Sequence, residues 1–467
     1  MPTYTSRASF SIGRAARGFL LASLAIGFIL GLYFSYLVAA QGLLIGSREG
    51  RWVYPYLQPV RPWTLAMALA ACVACFWLLR EEGARSLTKP WRQIFAWLMI
   101  GLGVQAALRW LTPFPFERIF TSAGANSFYT VTTHYFASTV MTDFDRMREY
   151  FPLHAQSNMP GKLMLLYALR YVSREPVVLA WLVVLVSNLG AVLMYVFVKD
   201  LFYDDKRMAG IAAVLYLFVP AKLFFFPLMN TVTPVVALAC ACLLTRWLTR
   251  GLGIYAWLLG VALYGLVFFE PLPLVMGLLF AALVIRALAV SEVRLLRFAI
   301  HAGLVVLGFA TAYAVVFFAF GFDLLHAFRQ IGSDAVAFNQ QAGRPYDVWV
   351  RENLREFLFG MGICQAVLVA AALVDGLWRN DVTEYRVSRP IVVLCLSLVA
   401  TLAVIDLIGI NRGEVTRLWI FLACFFQIPA AYVCARLESP VALAAVLTTT
   451  LLQCALGTAM IGFILPG

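Results

Sequence analysis

GFLLASLAIGFILGLYFSYLVAA, residues 18–40, is an apolar run without a single charge. At about 1.5 Å per residue it exceeds the roughly 30 Å of a bilayer's hydrocarbon core. It is too long for the apolar core of a secretory signal and is followed by no convincing small-residue cleavage site, so it reads as a transmembrane helix. Comparable runs recur to the C-terminus: near 63–80, 93–111, 176–198, 208–226, 231–249, 252–270, 272–290, 298–320, 357–376, 390–410, 415–434 and 440–464. The expectation is an all-α polytopic bundle of about thirteen helices, each of roughly 20 residues. Composition agrees, with 62% hydrophobic residues, 13% charged residues and a mean hydropathy of +0.84. Such values exclude an ordinary soluble domain.

Charge sets the orientation. Arg7, Arg14 and Arg17 precede the first span and place the N-terminus in the cytoplasm by the positive-inside rule. The helix count then puts Arg80/Arg85/Lys89/Arg92, Lys199/Lys206/Arg207, Arg246/Arg250, Arg286/Arg294/Arg297 and Arg379/Arg386/Arg389 on the same inner side. Two long outer segments remain, 112–175 and 322–356. GKLMLLYALRYV, residues 161–172, has a helical pattern but is too short to span, and counting it as a span would invert every later basic loop. It is expected at the outer interface or re-entrant, packed on the bundle. The chain reads as one transmembrane domain over 1–467 in a plasma (inner) membrane, without internal repeat or separate soluble domain.

A net charge of +12 could point to nucleic acid, but the basic residues are dispersed among loops between apolar spans. Anionic lipid headgroups or a phosphate-bearing substrate are the better match. The nine cysteines lie in or at the ends of apolar runs, where a free thiol packs as a small hydrophobe. Cys72-x-x-Cys75 has no second ligand pair, so neither zinc nor a disulfide framework is indicated. His134, His301 and His326 have no metal-ligand spacing. A divalent ion held by outer carboxylates is compatible with the sequence, which by itself implies no cofactor.

Chemistry concentrates in the first outer segment. Between Pro113 and Glu175 it carries Glu117, Arg118, Asp143, Asp145, His154 and Lys162, interleaved with aromatic residues at roughly helical spacing. Amphipathic helices on the membrane surface would hold these groups near the headgroups. Carboxylates beside bases suit transfer of a group from a lipid phosphate to an acceptor hydroxyl: the acid takes the hydroxyl proton and a cation neutralises the departing phosphate. Cations available on that side are Arg118, Lys162, Lys222, Arg329, Arg344, Arg351, Arg355, Arg412 and Arg417. Glu270, in Phe268-Phe269-Glu270-Pro271-Leu272-Pro273, is costly at a helix end unless paired or wet, and is expected to line the same cavity. Asp145 has Arg148 within helical reach as an ion-pair partner.

His154-Ala155-Gln156-Ser157-Asn158-Met159-Pro160-Gly161, followed by Lys162-Leu163-Met164-Leu165-Leu166-Tyr167, resembles the HPPG-then-apolar-helix pattern of the GT-C superfamily of polytopic glycosyltransferases. The similarity is to members related to the protein-mannosyltransferase and aminoarabinose-transferase groups. Asn158 and Met159 stand where that pattern has His and the first Pro, and His154 lies further upstream. Gly413-Glu414-Val415-Thr416-Arg417-Leu418-Trp419 resembles a GEVxRxW element of the same superfamily. Glu414 and Arg417 are three apart, so they share a helix face and can form an ion pair.

The resemblance implies a GT-C-like fold and an inverting transferase that uses a polyprenyl-phosphate-linked sugar donor and a lipid or glycan acceptor at the extracytoplasmic face. The family's usual acidic pair is missing here, because Ser127-Phe128-Tyr129 follows Ala125-Asn126. The base therefore falls to Glu117 or Asp143, with Asp145 behind them. Arg118, His154, Asn158, Lys162, Glu270, Arg412, Glu414 and Arg417 are the substrate-binding set. A transporter or flippase of a lipid-linked amphiphile, and a polysaccharide polymerase or ligase, are the alternatives that the same features allow.

Overall fold

The computed structural model describes residues 13–84, 90–290, 293–378 and 389–466. Arg7, Arg85, Lys89, Arg379 and Arg386, and the Arg80 side chain, used above for orientation, lie outside that description. Among the described residues the fold is all-α apart from one short antiparallel pair, Gly46–Ser47 with Trp52–Val53, and a single bridge between Tyr56 and Ile461. Among the described residues nine helices are long and apolar enough to cross a membrane, or ten if the bent pair Tyr346–Met361 and Ile363–Trp378 forms one span. The protein is a multi-pass membrane protein.

Small residues set the packing order. The spans Lys206–Phe224 and Ile420–Leu437 are 94% and 89% buried, whereas Leu295–Phe320 is 6% buried. Ala209, Ala212, Ala213, Ala423, Ala430 and Ala431 line the two central spans at 1% exposure or less, letting neighbouring backbones approach. The peripheral helix holds on through glycine. A Cβ at Gly260 would lie 2.0 Å from the Val305 carbonyl oxygen, and one at Gly308 would lie 2.0 Å from that of Trp257.

One end of the bundle carries the segment 112–175. It folds into short helices, Phe116–Thr121, Ser127–His134, Ala137–Thr142, Phe144–Met147, Leu153–Gln156 and Gly161–Arg170. Phe120, Val131, Met141, Phe144, Leu163 and Leu166 are buried, so each of these pieces but Leu153–Gln156, which buries Ala155, is pinned by a large apolar side chain. Residues 161–170 are thus a short helix packed on the bundle, as their length requires.

Two expected boundaries are corrected. A span was expected from 357, but one helix runs through that position to Met361 and the chain then bends by 96°. Gly362 makes the corner with φ of 111°, a region that favours glycine. The Tyr346–Met361 helix therefore runs across the direction of Ile363–Trp378, and with Asp347, Arg351, Glu352, Arg355 and Glu356 it is too polar to span by itself. A continuous helix was also expected over 415–434, but it is divided into Val415–Leu418, Ile420–Phe425 and Gln427–Leu437. Pro429 lacks the N–H that the Phe425 carbonyl would accept, and its ring crowds that carbonyl.

Candidate functional site

Gly161 starts a helix against another helix's end. A Cβ there would lie 2.5 Å from the Phe268 carbonyl oxygen and 2.7 Å from the Phe269 Cα, so only glycine permits this approach. The next residue, Lys162, is thereby delivered to Glu270, which caps the Gly253–Phe269 helix. Its Nζ lies 2.9 Å from Glu270 Oε2 and donates to Asn158 Oδ1 at 2.9 Å. Asn158 Nδ2 donates in turn to the His154 carbonyl at 2.8 Å, and the Thr233 hydroxyl donates to Glu270. The ammonium sits between the Phe128 and Phe269 rings and is wholly buried. Burial lowers it below the usual lysine range despite the opposing pull of Glu270.

A second charged group comes from the other end of the sequence. Glu414 has φ of 60°, left-handed backbone for a non-glycine residue, which costs on the order of 1–2 kcal/mol. It is held there from both sides: Arg344 Nη2 lies 2.9 Å from Oε1 and Arg417 Nη2 lies 2.6 Å from Oε2. Burial works to raise this carboxyl, but Arg417 and Arg344 outweigh it and keep it below the usual range. Arg344 and Arg412 brace each other, each donating to the other's carbonyl, at 2.7 and 2.8 Å. Arg412 also lies over the Tyr346 ring, so it is a structural clamp on the segment.

The two groups meet. Arg417 Nη1 lies 3.2 Å from His154 Nε2. Burial, reinforced by the Arg417 charge, pushes the His154 imidazole down to about 3, so it is neutral and Nε2 accepts from the guanidinium.

Beneath them lies a residue the sequence reading missed. Glu356 is fully buried on the Tyr346–Met361 helix; its Oε2 accepts from the Val415 N–H at 3.0 Å and its carbonyl accepts from the Thr416 hydroxyl. One turn earlier, Asn353 accepts from the Gly413 N–H at 3.0 Å and donates to Asp406 and to the Asn411 carbonyl. Burial pushes the Glu356 carboxyl up to about 8, so it is neutral at pH 7. The signal was present: Asn353-x-x-Glu356 places two polar side chains on one face of an amphipathic helix. Trp349 fixes the same segment from the far side. A Cβ at Gly50 or Gly413 would each fall 2.7 Å from its ring, and its Nε1 donates to the Gly50 carbonyl.

Three buried polar atoms here have no partner among the described residues: Arg417 Nε, Glu356 Oε1 and Tyr54 Oη. Burial, then the charges of Glu356 and Glu414, raise the Tyr54 phenol well above its usual range. A buried cluster of this kind, with Lys162, Arg344 and Arg417 around Glu270 and Glu414, has the charge to suit an oxyanion at its unused donors.

The expected acids, on the same 112–175 segment, contact none of these groups. Glu117, Arg118, Asp143 and Asp145 are exposed, with Arg118 stacked on Phe114. Among the described residues the Glu117 and Asp143 carboxylates have no hydrogen-bond or ion-pair partner. Asp145 does not pair with Arg148. It lies 3.8 Å from His326, and Arg148 reaches Asp334 at 2.8 Å instead, tying the first long segment to the Leu324–Gln341 helix. Among the described residues no three His, Cys, Asp or Glu side chains are grouped to hold a metal ion, and the nine cysteines are free thiols. Compared with known proteins, the chain matches no family model, no curated protein and no solved structure.

Proposed function

We propose that this chain is an inverting glycosyltransferase of GT-C type that moves a sugar from a polyprenyl-phosphate donor to a lipid or glycan acceptor at the extracytoplasmic face. One observation carries the reading. The two segments that resemble GT-C motifs are separated by 263 positions at their contact, yet Arg417 of one touches His154 of the other in a single buried, cation-rich cluster. Chance similarity of two short strings gives no reason for them to meet.

In this reading about thirteen helices cross the plasma (inner) membrane, the N-terminus is cytoplasmic, and the end carrying residues 112–175 faces outward. Arg417, through its unused Nε, and Lys162 face the donor phosphate, while His154, Asn158, Glu270 and Glu414 hold them in place. The acceptor oxygen attacks the anomeric carbon, its proton passes to Glu117 or Asp143, and the bond to the phosphate oxygen breaks with inversion. The freed polyprenyl phosphate carries the bonding pair away, stabilised by the guanidinium.

Protein in lipid nanodiscs, supplied with polyprenyl-phosphate sugars and lipid or glycan acceptors, tests this directly. Arg417→Ala is expected to slow transfer by about 100-fold, as loss of one charge-stabilising donor does elsewhere. Transfer unchanged in the combined Glu117→Gln, Asp143→Asn variant removes those acids from the mechanism. No transfer from any donor overturns the class.

A further inference from the structure

The helix Leu324–Gln341 follows the least buried of the described spans, Leu295–Phe320, and both of its ends are fixed where apolar helices end. At its start Asp323 accepts from the Leu325 and His326 N–H groups and from the Tyr313 hydroxyl, while the Phe322 ring packs edge-on against Phe268 at the end of the Gly253–Phe269 helix. At its finish the Asn339 amide donates to the Ile410 carbonyl at 2.7 Å, just past the span Pro390–Ile408, and the Tyr346 hydroxyl donates to the Leu407 carbonyl at 2.8 Å. All of these ends lie at the Glu270 end of the bundle. Eighteen residues extend about 27 Å, so the helix runs along the rim from one span to another, parallel to the membrane surface.

Three faces of this helix meet three surroundings. Leu324, Ala327 and Ile331 are buried against the protein. Arg329, Ser333 and Gln340, on roughly the opposite side, are exposed. Between these two faces Leu325, Phe328, Gly332 and Val336 recur at spacings of three and four and form an apolar stripe, with Leu325 and Val336 52% and 50% exposed. A helix between protein and water alone has no use for that third face. The stripe also runs into lipid-facing surface at both ends: Phe318 and Phe320 close the preceding span and Leu407 and Ile408 close the other, all four exposed.

We propose that the Leu324–Gln341 helix seats Leu325, Phe328 and Val336 in the acyl chains of the leaflet at this end of the bundle, with Arg329 beside them at the lipid phosphates. A protein partner would have to cover a stripe that is continuous with two spans already in lipid. On its other side the helix holds the first long segment, through Asp334 at 2.8 Å from Arg148 and His326 at 3.8 Å from Asp145. The leaflet thereby gains a hold on the segment that carries Asp143 and Asp145. The inference does not rest on the transferase reading, because depth alone is measured.

Spin labels on single added cysteines test it, in the full chain reconstituted into phosphatidylcholine and phosphatidylglycerol bilayers. Collisions with oxygen and with a water-soluble nickel chelate give the depth of each label, and the chain without an added cysteine sets the background, eight of its nine native cysteines being buried. Labels at Leu325→Cys, Phe328→Cys and Val336→Cys are expected about 5–10 Å below the lipid phosphates. Arg329→Cys is expected at their level, and Ser333→Cys and Gln340→Cys above it. Each position is read independently, so one variant that does not fold leaves the others to decide. Water-level collisions at all three stripe positions overturn the proposal. Protection of those positions from both reagents also overturns it, because protein would then cover the stripe, and broadening between labels on two chains would identify a second copy as that protein.

Discussion

Lys162 and Lys222 are both fully buried, and the molecule treats them in opposite ways. Lys162 is matched by a carboxylate at 2.9 Å, an amide and two rings, and it ties a short helix to a span. Lys222 also has an amide oxygen and two rings, those of Tyr216 and Phe226, but no carboxylate among the described residues. A matched buried charge holds structure together through what its removal would leave behind. An unmatched one carries a desolvation cost that no ion pair offsets.

The largest effect should come from breaking the matched pair. Glu270→Leu strands Lys162 and is expected to cost about 3–5 kcal/mol, whereas Lys162→Met combined with Glu270→Leu recovers most of that loss. Denaturant unfolding in a fixed micelle measures both, and a double variant as unstable as the single one breaks the comparison. Gly161→Ala forces a methyl to within 2.5 Å of the Phe268 carbonyl oxygen. It should cost about 1–3 kcal/mol and weaken transfer, because it moves Lys162 off Glu270. Lys222→Met, by contrast, should be neutral or slightly stabilising. A loss as large as that of Glu270→Leu would mean that Lys222 already has its partner.

The pH profile tests the other buried groups. Glu356 is raised from 4.5 to about 8, so the folded chain keeps a proton that the unfolded chain loses. Its contribution is complete below 4.5 and lost as pH rises towards about 8; Glu356→Gln removes this slope. His154 is lowered from 6.5 to about 3, so its contribution is present above 6.5 and lost as pH falls towards about 3. His154→Asn should flatten that acid limb in thermal unfolding measured from pH 7 to 4, and an unchanged limb would show that His154 is not buried against Arg417.

Much of the fold was legible because membrane spans announce themselves by length and apolarity. Each expected stretch is occupied by helix, and residues 161–170 were recognised as too short to cross. The bends at Gly362 and near Pro429 were hidden inside apolar runs, where hydropathy is blind to direction. For the site, the Glu414–Arg417 pair followed from its spacing of three. Glu356 did not stand out, because its role depends on the Val415 N–H and the Thr416 hydroxyl far along the chain. The Lys162–Glu270 pair joined two residues singled out separately, and only the close approach at Gly161 explains why they touch.

The Arg417–His154 contact also has a consequence for biosynthesis. Chains emerge from the ribosome N-terminus first. Lys162 can meet Glu270 once the first 270 residues are made, but His154 must wait for the last spans to be inserted before Arg417 reaches it. Until then the pocket has one wall. A nascent chain arrested before residue 413 should therefore hold its first loop in place yet remain incapable of function, so that completion of translation is itself the step that switches the site on.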